Sequence, residues 1–232
     1  MINNQIFRWF FPKNCFGCGR WGSYLCPNCR QLIKPLRRAI CPLCAQTTLA
    51  GWTHYRCRQK AGLEGLIAPF SYQSPLKELI KALKYQRIQA IADLLAELMI
   101  EQLVQSKILI YWRKNNFIFL PLPLFPLRQL WRGFNQTEII LNKICQQLSL
   151  PYCSDLLFRS RWTKEQARLP FSKRRENIVG SFRVKDSEQI KAKNFILFDD
   201  VWTTGSTLKE GAAVLRRQGA NKVWALVLAR RH

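Results

Sequence analysis

Acidic residues are scarce in this chain of 232 residues. It carries 14 Asp and Glu against 37 Lys and Arg, so its formal net charge is +23 at pH 7. An excess of one sign creates a field that attracts polyanions. A surface made basic for solubility alone is the weaker interpretation of so one-sided an excess. We therefore expect a partner such as nucleic acid, a phosphorylated ligand or an anionic membrane surface.

Long apolar runs are absent as well. A transmembrane helix needs about 18 to 20 consecutive apolar residues, and the run Phe117–Phe125 is short and contains Pro121 and Pro123. The N-terminal run Ile6–Phe11 ends at Pro12 and lacks the small-residue cleavage site of a secretory signal. The sequence therefore predicts no membrane span and a cytoplasmic location.

The cysteines lack the even count of a secreted disulfide framework. There are nine, and seven of them lie within the first 60 residues, six of these in close pairs. An odd, clustered set indicates metal ligation in a reducing compartment rather than disulfide bonds. The two isolated residues, Cys145 and Cys153, are expected to be small buried apolar side chains.

Eight candidate zinc ligands form four pairs in this region. Each pair is separated by two residues: Cys15 with Cys18, Cys26 with Cys29, Cys41 with Cys44, and His54 with Cys57. Two such pairs complete a tetrahedral site. Neighbouring pairs would give one site of four thiolates and one of three thiolates and an imidazole, although an interleaved pairing uses the same residues. One or two zinc ions are expected, and both would be structural because filled tetrahedra leave no open catalytic position.

The rest of the chain has the pattern of an α/β domain. Apolar residues at helical spacing predict helices over residues 76–83, 88–104 and 135–148. The boundary with the cysteine-rich part is predicted near Gly62, which gives domains of residues 1–62 and 63–232. The basic segment 158–177 lacks apolar periodicity and is predicted to be a long mobile loop.

Three predicted strands complete this domain. Phe117–Leu120 is a short strand that stops at Pro121. Later, Phe195–Phe198, a helix to about Gln218 and a final strand over Val223–Leu228 follow in the order strand, helix, strand. Such a unit implies a parallel sheet.

Two acids and a hydroxyl-rich turn follow the strand Phe195–Phe198. The turn segment reads Asp199-Asp200-Val201-Trp202-Thr203-Thr204-Gly205-Ser206-Thr207. Ligands of open α/β sheets bind where the carboxyl ends of the strands lie. Glycine permits backbone angles closed to other residues, and amides at the start of a helix form an anion site. The pattern therefore predicts a phosphate held by the turn and a sugar diol held by the two carboxylates.

This segment resembles the 5-phosphoribosyl 1-pyrophosphate (PRPP) motif of type I phosphoribosyltransferases. The resemblance implies a Rossmann-like parallel sheet. It also implies that Asp199 and Asp200 bind the ribose 2- and 3-hydroxyls, while Thr203–Thr207 bind the 5-phosphate.

Two further segments, together with the cysteine pairs, resemble the ComF/GntX family, whose members include competence proteins of transformable bacteria. One runs from Pro121 through Arg128 to Arg132-Gly133-Phe134-Asn135-Gln136, and the other is the basic stretch from Thr163 to Asn177. The resemblance implies an N-terminal double zinc ribbon and PRPP bound with Mg²⁺. By position, Arg128 and Arg132 belong to a pyrophosphate loop and Arg174 to a mobile lid. Positive charge at both places suits a departing pyrophosphate.

The chain departs from its relatives at two positions. His54 stands where the ComF/GntX family commonly has Cys, and Thr203 stands where purine-type phosphoribosyltransferases carry an Asp that acts as a base. Lys164 or Lys173 of the lid could assist instead, although solvated loop charge is the simpler role for both. The catalytic residue, and whether the protein is an enzyme, therefore stay open.

Three functions follow from these expectations. The first is a competence protein that acts on or with incoming single-stranded DNA in the cytoplasm, with PRPP as a ligand and DNA-uptake or recombination proteins as partners. Basic residues next to Trp112, Trp131 and Trp162 fit binding by stacking and charge, although any one tryptophan is more often in the core. The second is a phosphoribosyltransferase with an unidentified acceptor, and the third is a regulator that senses PRPP. The fold alone does not decide among them.

Overall fold

Five parallel strands form the sheet at the centre of the protein. The computed structural model describes residues 13–86, 88–163 and 173–231, without the side chains of residues 59–61 and 173–175. Nine strands are described: β1 (Ala39–Ile40), β2 (Thr47–Thr48), β3 (Gly65–Ile67), β4 (Phe70–Ser71), β5 (Phe117–Pro121), β6 (Leu157–Arg159), β7 (Phe182–Val184), β8 (Asn194–Trp202) and β9 (Lys222–Arg230).

The order of the central strands is β3–β9–β8–β5, and β4 extends the edge formed by β3 along β9. All pairings in this sheet are parallel; Ile196 of β8, for example, lies between Phe119 of β5 and Trp224 of β9. Both β8 and β9 are continuous apolar runs, as expected for strands covered on both faces. The predicted parallel sheet is confirmed, and the strands predicted at Phe195 and Val223 are several residues longer than expected.

Nine α-helices surround the sheet or belong to the N-terminal part. They are α1 (Pro27–Gln31), α2 (Tyr55–Ala61), α3 (Leu76–Lys81), α4 (Ala90–Val104), α5 (Lys107–Lys114), α6 (Pro126–Arg132), α7 (Gln136–Leu148), α8 (Lys173–Ile178) and α9 (Ser206–Arg217), all within the described ranges. A one-turn π-helix, Ala82–Gln86, separates α3 from α4, and a 3-10 turn occupies Leu49–Gly51. The helix predicted over 76–83 therefore ends at residue 81 and continues as a wider turn.

Successive residues of β8 face opposite sides of the sheet and enter two separate cores. Ile196 and Phe198 pack into a core with α3, α4, α5 and α7. Phe195 and Leu197 pack into a second core with α9 and the small antiparallel pair β6–β7. This alternation is the period of two residues that a strand imposes.

The segment 158–177 differs from the predicted loop at both ends. Its first two residues belong to β6, which pairs with β7, and its last residues form α8. Residues 164–172 lie outside the described chain. Cys145 is buried as expected, whereas Cys153 is half-buried and directs its thiol to Asp155 Oδ1 at 3.2 Å. In the part of the chain that is described, no helix is both long and apolar enough to cross a bilayer.

Candidate sugar-phosphate site and zinc sites

The predicted acidic pair lies near the carboxyl end of β8, the central strand between β5 and β9. Asp200 is only 4% exposed, and its backbone N–H donates to Asp199 Oδ1 at 2.8 Å. This edge of a parallel sheet is where ligands of such folds bind.

The hydroxyl-rich turn connects β8 to the start of α9. Gly205 has a φ of 69°, and a Cβ atom there would lie 2.1 Å from the ring of Trp202, so only glycine fits. The hydroxyl groups of Thr204 and Ser206 are 2.6 Å apart, and Thr204 Oγ1 also accepts from Ser206 N, the first amide of α9, at 3.2 Å. The N-cap residue, Gly205, has no side chain that could cap the helix. The turn therefore leaves helix N-terminal amides and hydroxyl groups for an anion.

A cavity of about 190 Å³ opens between the acids, the turn and the loop after β5. Six of the residues predicted for the site line it: Arg128, Arg132, Asp199, Asp200, Thr203 and Thr207. Thr204, Gly205 and Ser206 lie on the turn between the two threonines. Lys164 lies outside the described residues, as do the side chains of Lys173 and Arg174.

A chain of hydrogen bonds joins the pyrophosphate-loop segment to the acidic pair. Arg132 Nη1 donates to Gln136 Oε1 at 2.9 Å, and Gln136 Nε2 donates to Asp200 Oδ2 at 3.0 Å. Asn135 caps α7 by accepting from Thr137 N at 3.2 Å, and the Thr137 hydroxyl donates to Leu122 O at 2.8 Å. This cap ties the start of α7 to the loop after β5 and fixes Gln136 against the acid.

Three basic residues in the cavity wall were not predicted for the site from the sequence: Arg231, near the end of the chain, and the two described next, Lys84 and Arg159. Lys84, on the π-turn, places Nζ 2.7 Å from Asp200 Oδ2. Arg159, on β6, is 6% exposed and donates to the Thr163 hydroxyl, while Arg128 donates to Thr163 O at 2.5 Å. No motif marks either residue, because each is brought to the site by an element far away in the chain.

The electrostatics of the cavity are those of a few buried charges held close together. Burial and the neighbouring Asp200 raise the pKa of Asp199 to about 7, although Lys84 opposes the shift. Burial and the nearby Arg128 lower the pKa of Arg159 to about 10, so this guanidinium stays charged at neutral pH. The site thus holds the guanidinium of Arg159 close to an acidic pair in which the pKa of Asp199 is raised well above its ordinary value.

The eight predicted zinc ligands assemble into two sets in the N-terminal part. In each set the ligand atoms lie within 4.8 Å of one another; the sets are Cys15, Cys18, Cys26 and Cys29, and Cys41, Cys44, His54 and Cys57. The sequential pairing is therefore confirmed over the interleaved one. Four sulfur atoms, or three sulfur atoms and an imidazole nitrogen, are the donor sets that structural zinc prefers.

Backbone hydrogen bonds favour the thiolate form of one cysteine in each set, Cys15 and Cys41, whereas burial raises the pKa of Cys29 and of Cys57. Burial raises the pKa of Cys15, but the backbone N–H groups of Cys26, Cys18 and Gly17 outweigh it and lower the pKa to about 6. His54 Nδ1 is 3.3 Å from Cys44 Sγ, and its Nε2 is 3.2 Å from Thr47 O. A backbone carbonyl on the far nitrogen is the usual support for a zinc-bound imidazole, so His54 fits as the eighth ligand.

Comparison with known proteins agrees with these sites. A family model described as a double zinc ribbon domain matches residues 6–59. The DNA utilization protein YhgH of Escherichia coli K12 is 30% identical over 230 residues, which cover 93% of this chain and 96% of that protein. Competence protein F of Haemophilus influenzae is 29% identical over 229 residues, covering 95% and 98%.

The chain belongs to the ComF/GntX family. A further member, competence protein ComFC of Streptococcus pneumoniae, is 27% identical over 218 residues, which cover 90% of this chain and 88% of that one. The fold is that of the family: a double zinc ribbon followed by a phosphoribosyltransferase-like parallel sheet.

Solved structures similar to the chain include two phosphoribosyl enzymes. The phosphoribosylpyrophosphate synthetase of Mycobacterium smegmatis aligns with a TM-score of 0.35 and 17% identity over 59% of this chain and 33% of its own. The hypoxanthine phosphoribosyltransferase of Trypanosoma cruzi aligns with a TM-score of 0.37 and 10% identity over 61% and 65%. At these scores the fold assignment rests on the sheet topology and the family relatives.

Zinc content tests the two ligand sets separately. We expect two zinc ions per chain in the purified protein, and about one in Cys26→Ser and in Cys44→Ser, because each substitution removes a ligand from a different tetrahedron. Elemental analysis by mass spectrometry measures the ratio. Cys153→Ser, outside both sets, is the control and should keep two ions. If either ligand variant retained two, the assignment of that set would be wrong.

Proposed function

We propose that the protein binds PRPP with Mg²⁺ and acts on incoming single-stranded DNA in the cytoplasm during natural transformation. The observation that carries the first half is one cavity with a carboxylate pair on one side and, on the other, the start of a helix whose N-cap residue is a glycine. Carboxylates accept hydrogen bonds from a ribose diol. Amides at a helix start bind phosphate. The two groups match the two functional ends of a ribose 5-phosphate.

The cations of the cavity fit the pyrophosphate of PRPP. Five cations line it against two acids: Lys84, Arg128, Arg132, Arg159 and Arg231. Arg159 has a buried Nε without a hydrogen-bond partner among the described residues. A buried donor of this kind is costly unless a ligand or water accepts from it. An excess of positive charge beside the diol site thus favours a sugar that carries a second anionic group.

The DNA half of the proposal rests on the family relatives and on the exposed tryptophans. Trp131 is 58% exposed and Trp162 53%, whereas Trp112 lies in the core. The hydrogen bond from Arg128 to Thr163 O joins the helix of Trp131 to the segment of Trp162 beside the cavity. Exposed aromatic rings among basic residues bind single strands by stacking and charge.

Phosphoribosyl transfer is the second candidate function. Arginines next to the diol site would stabilise a departing pyrophosphate electrostatically, and Arg128, Arg132 and Arg159 are all present there. The acceptor and the residue that would activate it are not identified. We therefore place binding of PRPP first and transfer second.

Removal of the acidic pair tests PRPP binding. Asp199→Asn together with Asp200→Asn should weaken PRPP binding by at least about a hundredfold, since two charge-assisted hydrogen bonds of roughly 1.5–3 kcal/mol each are lost. Titration calorimetry with Mg²⁺ measures the affinity. The exposed pair Asp93→Asn with Asp155→Asn changes the net charge equally and serves as control. Undiminished affinity in the first double variant would refute the assignment of the site.

Removal of the exposed tryptophans tests DNA binding. Trp131→Ala with Trp162→Ala should weaken binding of labelled oligothymidylate by about tenfold or more, because stacking is worth about 1–3 kcal/mol per base. Fluorescence anisotropy at several salt concentrations measures the affinity, which should fall as salt rises. Trp21→Ala removes a tryptophan that is 67% exposed in the zinc ribbon and is the matched control. Equal losses in both variants, or an affinity independent of salt, would contradict the proposed surface.

A further inference from the structure

Lys84 reaches the acidic pair from an unusual piece of backbone. The π-turn Ala82–Gln86 inserts one wide turn between α3 and α4. Such turns are rare and frequently occur at functional sites. Ala82 and Leu83 are buried in the core, and the next two residues, Lys84 and Tyr85, line the cavity. The turn therefore brings to the cavity a lysine that lies one residue beyond the helix predicted over residues 76–83.

The ammonium group of Lys84 shares one acceptor, Asp200 Oδ2, with the side-chain amide of Gln136. Its Nζ lies 2.7 Å from Asp200 Oδ2, and that atom also accepts from Gln136 Nε2 at 3.0 Å. The lysine side chain is 19% exposed and that of Asp200 6%, so water screens the pair weakly. Burial alone would lower the pKa of Lys84, but Asp200 and Asp199 raise it above its ordinary value, and the ammonium stays charged.

A cation next to Asp199 and Asp200 stabilises their ionised forms. Two adjacent carboxylates in a buried site repel each other, and burial penalises their charged forms. Asp199 already has a pKa raised to about 7. A protonated carboxyl has fewer acceptor positions and accepts weaker hydrogen bonds from hydroxyl groups than a carboxylate does, so the pair binds a diol most strongly while it is ionised. The other charged or titratable groups that line the cavity around the pair are Tyr72, Tyr85, Arg128, Arg132, Arg159 and Arg231.

We propose that Lys84 is a ligand-binding residue of the sugar-phosphate site, which keeps the acidic pair ionised and contacts an anionic oxygen of the bound ligand. An ammonium has three donors, so it can serve Asp200 and a phosphate oxygen at the same time. This role deepens and rests on the proposed binding of PRPP. It assigns to the π-turn a function that no motif in the chain indicates.

The sign of the pH dependence follows from the raised pKa of Asp199. As pH falls through about 7 the carboxyl takes up a proton, and diol binding weakens. Without the positive charge of Lys84, which lowers the pKa of Asp199, that pKa rises further and ionisation of the Asp199 carboxyl requires a higher pH. The loss of affinity caused by removing the lysine should therefore be large in mild acid and smaller in mild base.

PRPP affinity of Lys84→Met relative to the unmodified protein tests this role. We expect a loss of at least about tenfold near pH 6, narrowing to a few-fold near pH 8.5, and little loss in Lys84→Arg, which keeps the charge. Lys81→Met removes an exposed lysine three residues earlier and should stay within about twofold at both pH values. An affinity of Lys84→Met equal to that of the unmodified protein, or a loss independent of pH, would overturn the proposal.

A second measurement separates this inference from the proposed function. Carboxyl ¹³C chemical shifts of labelled aspartate report ionisation in the ligand-free protein, and Lys84→Gln keeps a hydrogen-bonding side chain without the charge. The pair should ionise at higher pH in Lys84→Gln than in the unmodified protein. An unchanged titration would refute the role of Lys84 even if PRPP binds. Failure of the unmodified protein to bind PRPP, with the titration shifted as expected, would refute PRPP as the ligand instead.

Discussion

The packing of two adjacent carboxylates at the end of one strand, Asp200 buried and Asp199 partly buried, is the constraint on which the site depends. Asp199 and Asp200 lie on β8 between two parallel neighbours, where charge is expensive to bury. Three contacts offset that cost: the ammonium of Lys84, the amide of Gln136 and the backbone N–H of Asp200 itself. The first two contacts come from the π-turn and from α7, so the acids determine where elements far apart in the chain must meet.

The zinc ribbon is packed against the same region. Phe16 of the first ribbon joins the core that contains α3 and α4, and Arg30 pairs with Glu97 and Glu101 of α4. A groove between Cys15 and Tyr85 brings the first zinc set next to the π-turn. A segment too short to bury its own core thus uses metal ligation to hold its shape and lies beside the turn that carries Lys84.

Features determined by local sequence could be predicted, and features assembled over distance could not. Each cysteine pair, and likewise the segment from Phe195 to Thr207, is a short continuous stretch of sequence. The spacing of the residues within each stretch therefore predicted the metal ligands and the acid-and-turn segment. Lys84 was not predicted as a site residue because Leu79, Ile80 and Leu83 keep helical spacing while the backbone widens into a π-turn. Arg159 was not predicted as a site residue because it belongs to a segment whose dense positive charge is typical of a solvated loop, whereas in the structure it occupies a buried position of β6.

The central claim is that one cavity binds a phosphorylated ribose with its diol on the acids and its phosphate on the turn. The most direct measurement is a crystal structure of the protein with ribose 5-phosphate. The account predicts both hydroxyls within hydrogen-bonding distance of Asp199 and Asp200, and the phosphate on the amides and hydroxyls from Thr203 to Thr207. A sugar bound elsewhere, or bound in the cavity with its phosphate away from the turn, would contradict it.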